Sequence, residues 1–127
     1  MEISYDGGQL ITINLVIIYH DKSLQIDDVI ADTGSSHTVI SPDVLEEIDV
    51  KYETGDKVYK AYGIGGTVPF YVKTIDQIKI GTLNLKHIDI DVGVLPNNHN
   101  GLLGLDILKE NNLLIDLKNL ELYQSKE

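Results

Sequence analysis

Apolar and polar residues alternate near the start of the chain, and this alternation constrains the fold more than any other feature. Every odd position from Ile11 to Tyr19 is apolar. A period of two places these side chains on one face of a β-strand, because successive side chains of a strand point to opposite sides. The polar segment His20–Ser23 then predicts a turn, and Leu24–Ala31 predicts a returning strand with a bulge at Asp27–Asp28. The chain is therefore expected to begin with a β-hairpin.

Most of the remaining apolar segments also have the length of short strands bounded by turns. Helix signals are confined to two places. Ser41 can cap a helix over Ser41–Ile48 with Pro42 at its first position, and Leu105–Glu110 has the pattern of one to two helical turns. The apolar residues change from odd-numbered to even-numbered positions near Lys86–His87, which predicts a second bulge. The strands predicted after the first hairpin are residues 58–62, 67–73, 74–80, 83–92, 113–117 and 120–123.

These elements predict a mostly β fold with one or two short helices, in a single domain spanning residues 1–127. A length of 127 residues suits one domain, and a hydrophobic content of 43% is sufficient for one core. The formal net charge of −10 argues against a nucleic-acid groove, which needs clustered Lys and Arg. Because the chain has no cysteine, it can form neither disulfides nor thiolate metal sites.

Few sequence signals bear on localisation or metal binding. The N-terminus lacks the basic region, apolar run and cleavage site of a signal peptide, so a cytoplasmic protein is expected. The apolar stretch Leu10–Ile18 is too short to span a bilayer, so no membrane partner is expected. The four histidines lack the spacing of a zinc motif, so neither a metal nor a cofactor is expected. Asp89 and Asp91 share one strand face, which is predicted to be exposed.

The turn Ala31–Ser36 is the candidate for chemistry. Its sequence, Ala-Asp-Thr-Gly-Ser-Ser, lies between the apolar runs Val29–Ile30 and Thr38–Ile40. This context presents the Asp32 carboxylate on a tight turn, where Gly34 lets the backbone direct N–H groups at the acid. The alternative is an Asx-turn without a catalytic role, because these residue types are common in turns. The apolar flanks and two later segments favour a catalytic acid.

Three segments together resemble the retropepsins, which are the retroviral aspartic proteases and their cellular and bacterial relatives. They are Asp32–Ser36, Gly63–Gly66 and Gly101–Asp106, in the order and at about the spacing of that family. The last segment, continued to Leu117, looks more like the cellular retropepsins of ubiquitin-shuttle proteins than the viral enzymes. The resemblance covers residues 10–123. It implies a closed, barrel-like acid-protease fold with a flap hairpin, acting on peptide or protein substrates.

The resemblance also implies roles for the turn residues, with Asp32 as the catalytic acid. Peptide hydrolysis by this route needs two carboxyls that share one proton. The chain has a single Asp-Thr-Gly, and its nearest echo, Glu53–Gly55, lies in a polar loop without apolar flanks. The active form would therefore be a homodimer with one Asp32 from each subunit. Thr33 would hydrogen-bond across the twofold axis, Gly34 would offer its N–H to the carboxylate, and the Ser35 hydroxyl would hydrogen-bond Asp32.

Two further groups of residues would contact substrate. Gly63, Ile64, Gly65 and Gly66 would form the tip of a flap that closes over a bound peptide. The alternative for these residues is a flexible hairpin tip, which glycines form readily. Ile30 and Leu102 would line a pocket for apolar side chains. Gly104 is small enough to let its backbone approach the Asp turn.

The chain departs from the viral pattern in its dimer contacts. Leu105 and Ser36 occupy the places of an Arg–Asp ion pair that stabilises the viral dimers. Dimerisation would then depend on the terminal strands, for which Ile3–Tyr5 and Leu120–Tyr123 are the candidates. The alternative function is a catalytically silent peptide-binding or dimerisation module with the same fold.

Overall fold

The computed structural model describes residues 1–5, 10–63 and 66–125, with the backbone alone for residues 61–63 and 66–68. The helices are α1 (Pro42–Leu45), continued by a 3-10 turn over Glu46–Ile48, and α2 (Leu105–Leu108). A further 3-10 turn covers Pro96–Asn98. The strands are β1 (Ser4–Tyr5), β2 (Ile11–Tyr19), β3 (Lys22–Ala31), β4 (Val39–Ile40), β5 (Val58–Gly63), β6 (Gly66–Ile80), β7 (Leu83–Val92), β8 (Gly101–Leu103), β9 (Leu113–Asp116) and β10 (Glu121–Gln124).

Six strands close into a barrel. Their order is β2, β3, β8, β4, β7, β6, and the ring closes because β6 pairs with β2. β1 extends the sheet beyond β2, and β5 extends it beyond β6. Ile17, Ile75 and Leu103, on three of the barrel strands, are fully buried in one apolar cluster. The predicted mostly β, closed-barrel architecture is confirmed.

The first hairpin has the predicted strands and bulge. Its turn is shorter than predicted, because Tyr19 pairs directly with Lys22. His20 and Asp21 both have positive φ, which is the geometry of a two-residue turn that matches the strand twist. The register shifts beyond Ile13, where the alternation of β3 breaks at the two adjacent aspartates. The hairpin ends at the Asp turn.

The prediction of separate strands at 67–73 and 74–80 is wrong. β6 runs unbroken from Gly66 to Ile80. Lys73 and Thr74 supply no turn signal, and the strand keeps partners along its length, first on β5 and then on β7 and β2. Tertiary pairing therefore joins two segments that look separate in the sequence.

The parity change near Lys86–His87 has a different cause from the one predicted. No extra residue is inserted, because Ile75 pairs with Ile88 and Gln77 pairs with Lys86 in one constant register. His87 adopts a positive φ, and the buried face of β6 changes at the same level. The predicted bulge is therefore wrong, although the irregularity lies where it was expected.

The helix prediction over Ser41–Ile48 is confirmed in shortened form. The Ser41 side chain accepts a hydrogen bond from the Asp43 N–H, and Pro42 begins the helix. Leu45 and Ile48 are buried beneath it. None of the helices in the described residues has the length and apolar character needed to cross a membrane.

Candidate active site

Strand β8 holds both ends of the Asp turn. On one side it pairs in parallel with β3, with Ala31 opposite Leu103, and on the other side it pairs with β4. The Asp32 N–H continues the first pairing by donating to the Leu103 carbonyl at 2.9 Å. Asp32 therefore follows the last residue of β3, and the neighbouring strand β8 is paired on both of its edges.

The Asp32 carboxylate is held by the backbone of its own turn. The Gly34 N–H donates to Asp32 Oδ1 at 2.9 Å, and the Ser35 N–H donates to the Asp32 carbonyl at 3.2 Å. The Asp32 side chain is half-buried, whereas Thr33 and Gly34 are exposed. The geometry fixes one carboxylate oxygen and leaves the turn open to a partner or substrate.

The predicted hydrogen bond from Ser35 to Asp32 is wrong. The Ser35 hydroxyl donates instead to the His37 carbonyl, at 2.8 Å. Serine hydroxyls commonly hydrogen-bond to backbone groups a few residues away, and here such a bond takes the place of the predicted one. Ser35 thus supports the shape of the turn, and the structure gives its hydroxyl no direct contact with the acid.

Gly104 brings α2 against the turn. A Cβ at this position would lie 2.6 Å from the His37 carbonyl oxygen and 2.9 Å from the Ser35 carbonyl oxygen, closer than such contacts normally allow. The next residue, Leu105, donates its N–H to the Ser35 carbonyl at 2.8 Å. The close backbone approach predicted for Gly104 is observed.

A buried network that the sequence reasoning missed ties the turn to α2. Thr38, which is only 1% exposed, donates its N–H to Asp106 Oδ2 at 3.0 Å and its hydroxyl to Oδ1 at 2.7 Å. The Thr38 hydroxyl also accepts from the Gly104 N–H at 3.0 Å. The sequence did carry a signal for this network, because Thr38 and Asp106 each stand as one polar residue in an apolar run. A polar residue in such a run is expected to be buried with a hydrogen-bond partner.

Replacing Asp106 with Ala is expected to lower the free energy of unfolding by about 2–3 kcal/mol, because the buried Thr38 N–H loses its acceptor. Asp106→Asn keeps one acceptor oxygen and is expected to cost about half as much. Urea unfolding of the wild type and both variants measures the difference. Equal stability of wild type and Asp106→Ala would show that the network contributes nothing.

A buried carboxylate, Asp91, lies close to the segment that follows the turn. Asp91 is 5% exposed, and its N–H donates to the Thr38 carbonyl at 3.0 Å. The Tyr59 hydroxyl donates to its carboxylate, so burial and then this hydrogen bond raise the pKa of Tyr59 above its ordinary value. The His37 Nδ1 atom is 3.8 Å from the same carboxylate. The predicted exposed face is therefore wrong for Asp91, although Asp89 is exposed.

The predicted pocket and flap residues lie in different parts of the barrel. Ile30 and Leu102 are half-buried neighbours on adjacent strands, paired in register. Gly63 pairs with Gly66 at the end of the β5–β6 hairpin. Ile64 and Gly65 lie outside the described residues.

Glu53–Gly55, whose sequence is similar to that of the Asp turn, belongs to an ion-paired loop. Lys73, buried on β6, donates to Glu53 Oε1 at 2.8 Å and to Asp56 Oδ2 at 2.9 Å. Burial by itself lowers the pKa of Lys73, but these hydrogen bonds outweigh it and raise the pKa above the usual lysine value. Glu53 thus satisfies a buried cation, as expected for a loop without a catalytic acid.

Acid is expected to weaken this loop. The hydrogen bond from Lys73, followed by the one from the Glu53 N–H, lowers the pKa of Asp56 below its ordinary value of 3.8. Its contribution to stability is therefore present at neutral pH and is lost as the pH falls below 3.8 through the folded-state value. Urea unfolding should show Asp56→Asn less stable than wild type at neutral pH, with a gap that narrows in acid. A gap independent of pH would contradict this origin.

No group of three or more His, Cys, Asp or Glu residues in the described parts of the chain is arranged to hold a metal ion. The candidate site contains the Asp32 carboxylate, which the Gly34 N–H of the same turn holds by a hydrogen bond.

Comparison with known proteins identifies the family. Residues 21–107, most of the chain, match the family described as aspartyl protease, so the chain belongs to that family. Its fold is similar to a retropepsin-like aspartic protease from Rickettsia conorii, with 20% sequence identity, a TM-score of 0.70 and coverage of 97% of each chain. It is also similar to EIAV protease solved in complex with the inhibitor HBY-793, with 22% identity, a TM-score of 0.61 and coverage of 84% of this chain and 92% of that one. The predicted retropepsin fold is confirmed. No curated protein matches the sequence.

Proposed function

We propose that this chain is an aspartic endopeptidase, active as a homodimer, that hydrolyses peptide bonds with a water activated between two Asp32 carboxyls. The observation that carries the proposal is the Asp32 turn itself. In a chain of the aspartyl protease family, its carboxylate accepts the Gly34 N–H at 2.9 Å, at the end of a strand fixed to β8. A carboxylate held in this way is oriented before substrate arrives.

The two carboxyls would have different roles, one as the general base and the other as the general acid. The ionised Asp32 takes a proton from water, while the protonated Asp32 of the second copy donates a proton to the peptide carbonyl oxygen. The Asp32 carboxyl that took the proton from water then donates it to the amine nitrogen as the C–N bond breaks, and the other Asp32 carboxylate recovers its proton from a hydroxyl of the tetrahedral intermediate. Two carboxyls about 3 Å apart suit both steps, because like charges at that distance share one proton and titrate as a pair.

A second copy is required because the sequence holds one Asp-Thr-Gly. A twofold axis beside the turn brings the two Asp32 side chains together, with the exposed Thr33 of each copy placed to hydrogen-bond the other turn. The requirement comes from the mechanism, since one carboxyl cannot be base and acid in the same step.

The remaining predicted residues would bind the substrate. The predicted flap residues, Gly63–Gly66, would close over an extended peptide and exclude water; of these, Gly63 and Gly66 pair with each other at the end of the β5–β6 hairpin. Ile30 and Leu102 would accept an apolar side chain beside the cleaved bond, because both are half-buried neighbours on strands that border the Asp turn.

Digestion of a diverse peptide library across a range of pH tests the proposal. We expect internal cleavage, detected by mass spectrometry, with a preference for apolar residues at the cleaved bond. A peptide containing statine, which mimics the tetrahedral intermediate, should inhibit it. An absence of cleavage at every pH, in a sample that binds the statine peptide, would favour the silent peptide-binding module instead.

A further inference from the structure

We propose that Tyr59 is a positioning residue, whose hydroxyl ties β5 to Asp91 and thereby fixes the β5–β6 hairpin relative to the Asp turn. The inference rests on the proposed function, in which this hairpin covers the substrate. It concerns a side chain near the start of β5, outside the Asp turn and the predicted flap residues.

The β5–β6 hairpin extends beyond the barrel. In the described residues β5 pairs with β6 alone, and β6 pairs with β7 only from Tyr71 onward. Residues 59–63 and 66–70 therefore have no third strand beside them in the part of the chain that the structure describes. A two-stranded hairpin is at best marginally stable by itself, so its contacts with the barrel decide where it lies.

Phe70 and Tyr59 both join this hairpin to the barrel. Phe70 packs on Gly93, directly after β7, where an added Cβ would lie 1.9 Å from the Phe70 ring. The Tyr59 ring lies 5.8 Å from the Phe70 ring, and its hydroxyl donates a hydrogen bond to the Asp91 carboxylate on β7. A hydrogen bond depends steeply on distance and angle, whereas an apolar contact does not. Tyr59 therefore fixes the hairpin more closely than Phe70 does.

The acceptor of this hydrogen bond is held firmly in the barrel. Asp91 pairs with Val72 on one side and with Val39 on the other, and its own N–H donates to the Thr38 carbonyl at 3.0 Å. Thr38 in turn donates its N–H and its hydroxyl to Asp106. The Tyr59 hydroxyl is therefore bound to a residue that contacts the segment following the Asp turn.

The chemical environment favours a strong hydrogen bond from Tyr59 to Asp91. Tyr59 is half-buried, and burial followed by this hydrogen bond raises its pKa above the ordinary tyrosine value, so the hydroxyl keeps its proton. The other described neighbour of the carboxylate is His37, whose Nδ1 atom lies 3.8 Å away on a side chain that is 64% exposed. A hydroxyl that donates to a buried carboxylate makes a stronger hydrogen bond than one between neutral groups.

A hairpin that is already in place costs less to order when a peptide binds beneath it. Because the Tyr59 hydroxyl is occupied by Asp91, it is expected to act on substrate binding and not on proton transfer. Loss of the hydrogen bond should therefore raise KM and leave kcat nearly unchanged.

Tyr59→Phe tests the proposal because it removes the hydroxyl and keeps the ring. We expect KM for a peptide substrate, and the dissociation constant of a statine peptide, to rise by about fivefold or more, with kcat within about twofold of the wild type. Hydrogen exchange should become faster in β5 and stay unchanged in β7.

Two changes at the acceptor separate the hydrogen bond from the tyrosine itself. Asp91→Ala removes the same bond from its other end and should raise KM as Tyr59→Phe does. Asp91→Asn keeps an acceptor oxygen for the Tyr59 hydroxyl, so its KM should stay close to that of the wild type.

Tyr52→Phe is the matched control. Tyr52 is 52% exposed in the loop before β5, and its ring packs edge-on against Tyr71, a contact that phenylalanine keeps. Its KM and its β5 exchange should equal those of the wild type, and thermal unfolding verifies that every variant folds. If folded Tyr59→Phe loses only thermal stability, with wild-type KM and wild-type exchange in β5, the positioning role is wrong. A wild type that neither cleaves peptides nor binds the statine peptide would overturn the proposed function, whereas exchange in β5 would still test the contact with Asp91.

Discussion

Asp32→Asn is expected to lower kcat/KM for peptide hydrolysis by about 10³-fold or more. An amide cannot take a proton from water, and it cannot share a proton with a second carboxyl. The change should leave the turn intact, because the amide oxygen can still accept the Gly34 N–H that Asp32 Oδ1 accepts at 2.9 Å. Peptide hydrolysis, binding of a statine peptide and thermal unfolding, measured on the same sample, separate catalysis from folding.

The matched control is Asp28→Asn on the strand that leads to the turn. Asp28 is exposed and has a φ of 56°, a conformation that Asn adopts readily. The rate of peptide hydrolysis by Asp28→Asn should equal that of the wild type. Asp32→Asn should still bind the statine peptide. If Asp32→Asn hydrolyses peptides as fast as the control, Asp32 is not the catalytic acid.

Gly104→Ala is expected to lower the free energy of unfolding by about 2–3 kcal/mol and to reduce peptide hydrolysis. The added Cβ would lie 2.6 Å from the carbonyl carbon and oxygen of His37. These are backbone atoms of the segment that joins the Asp turn to β4, so no flexible side chain can move away. Either the turn or α2 must shift, and both position Asp32.

Gly55→Ala provides the comparison for Gly104→Ala. No atom lies within 4 Å of a Cβ at Gly55, so its cost comes only from the positive φ of 101°. We expect a smaller loss of stability there and unchanged hydrolysis, because the loop is separate from the Asp turn. Urea unfolding and peptide hydrolysis measure both variants. A loss below about 1 kcal/mol for Gly104→Ala would show that the close approach is not under constraint.

The local parts of the fold could be predicted from the sequence because their causes are local. The period of two in Ile11–Tyr19 fixes a strand, and the broken alternation at Asp27–Asp28 fixes the bulge. Ser41 and Pro42 begin a helix through their own side chains. Gly104 could be assigned a packing role because few other residues allow such an approach.

The remaining features depend on partners distant in the sequence. β6 is continuous because it pairs successively with β5, β7 and β2. Thr38 and Asp106 are 68 residues apart, so their hydrogen bonds follow only from the assembled barrel. Asp91 lies on a strand face that alternation alone would expose, but Tyr59 covers it. The Ser35 hydroxyl donates to the His37 carbonyl, and this partner depends on the shape that the turn takes in the assembled barrel.

Mixing wild-type chains with Asp32→Asn chains tests most directly whether one acid from each of two copies forms the site. The total concentration is held constant, well above the dissociation constant, and the subunits are allowed to exchange. If both Asp32 carboxyls are needed, activity should fall as the square of the wild-type fraction, to about one quarter in an equal mixture. A linear fall, to about one half, would show that each chain works alone and would contradict the account.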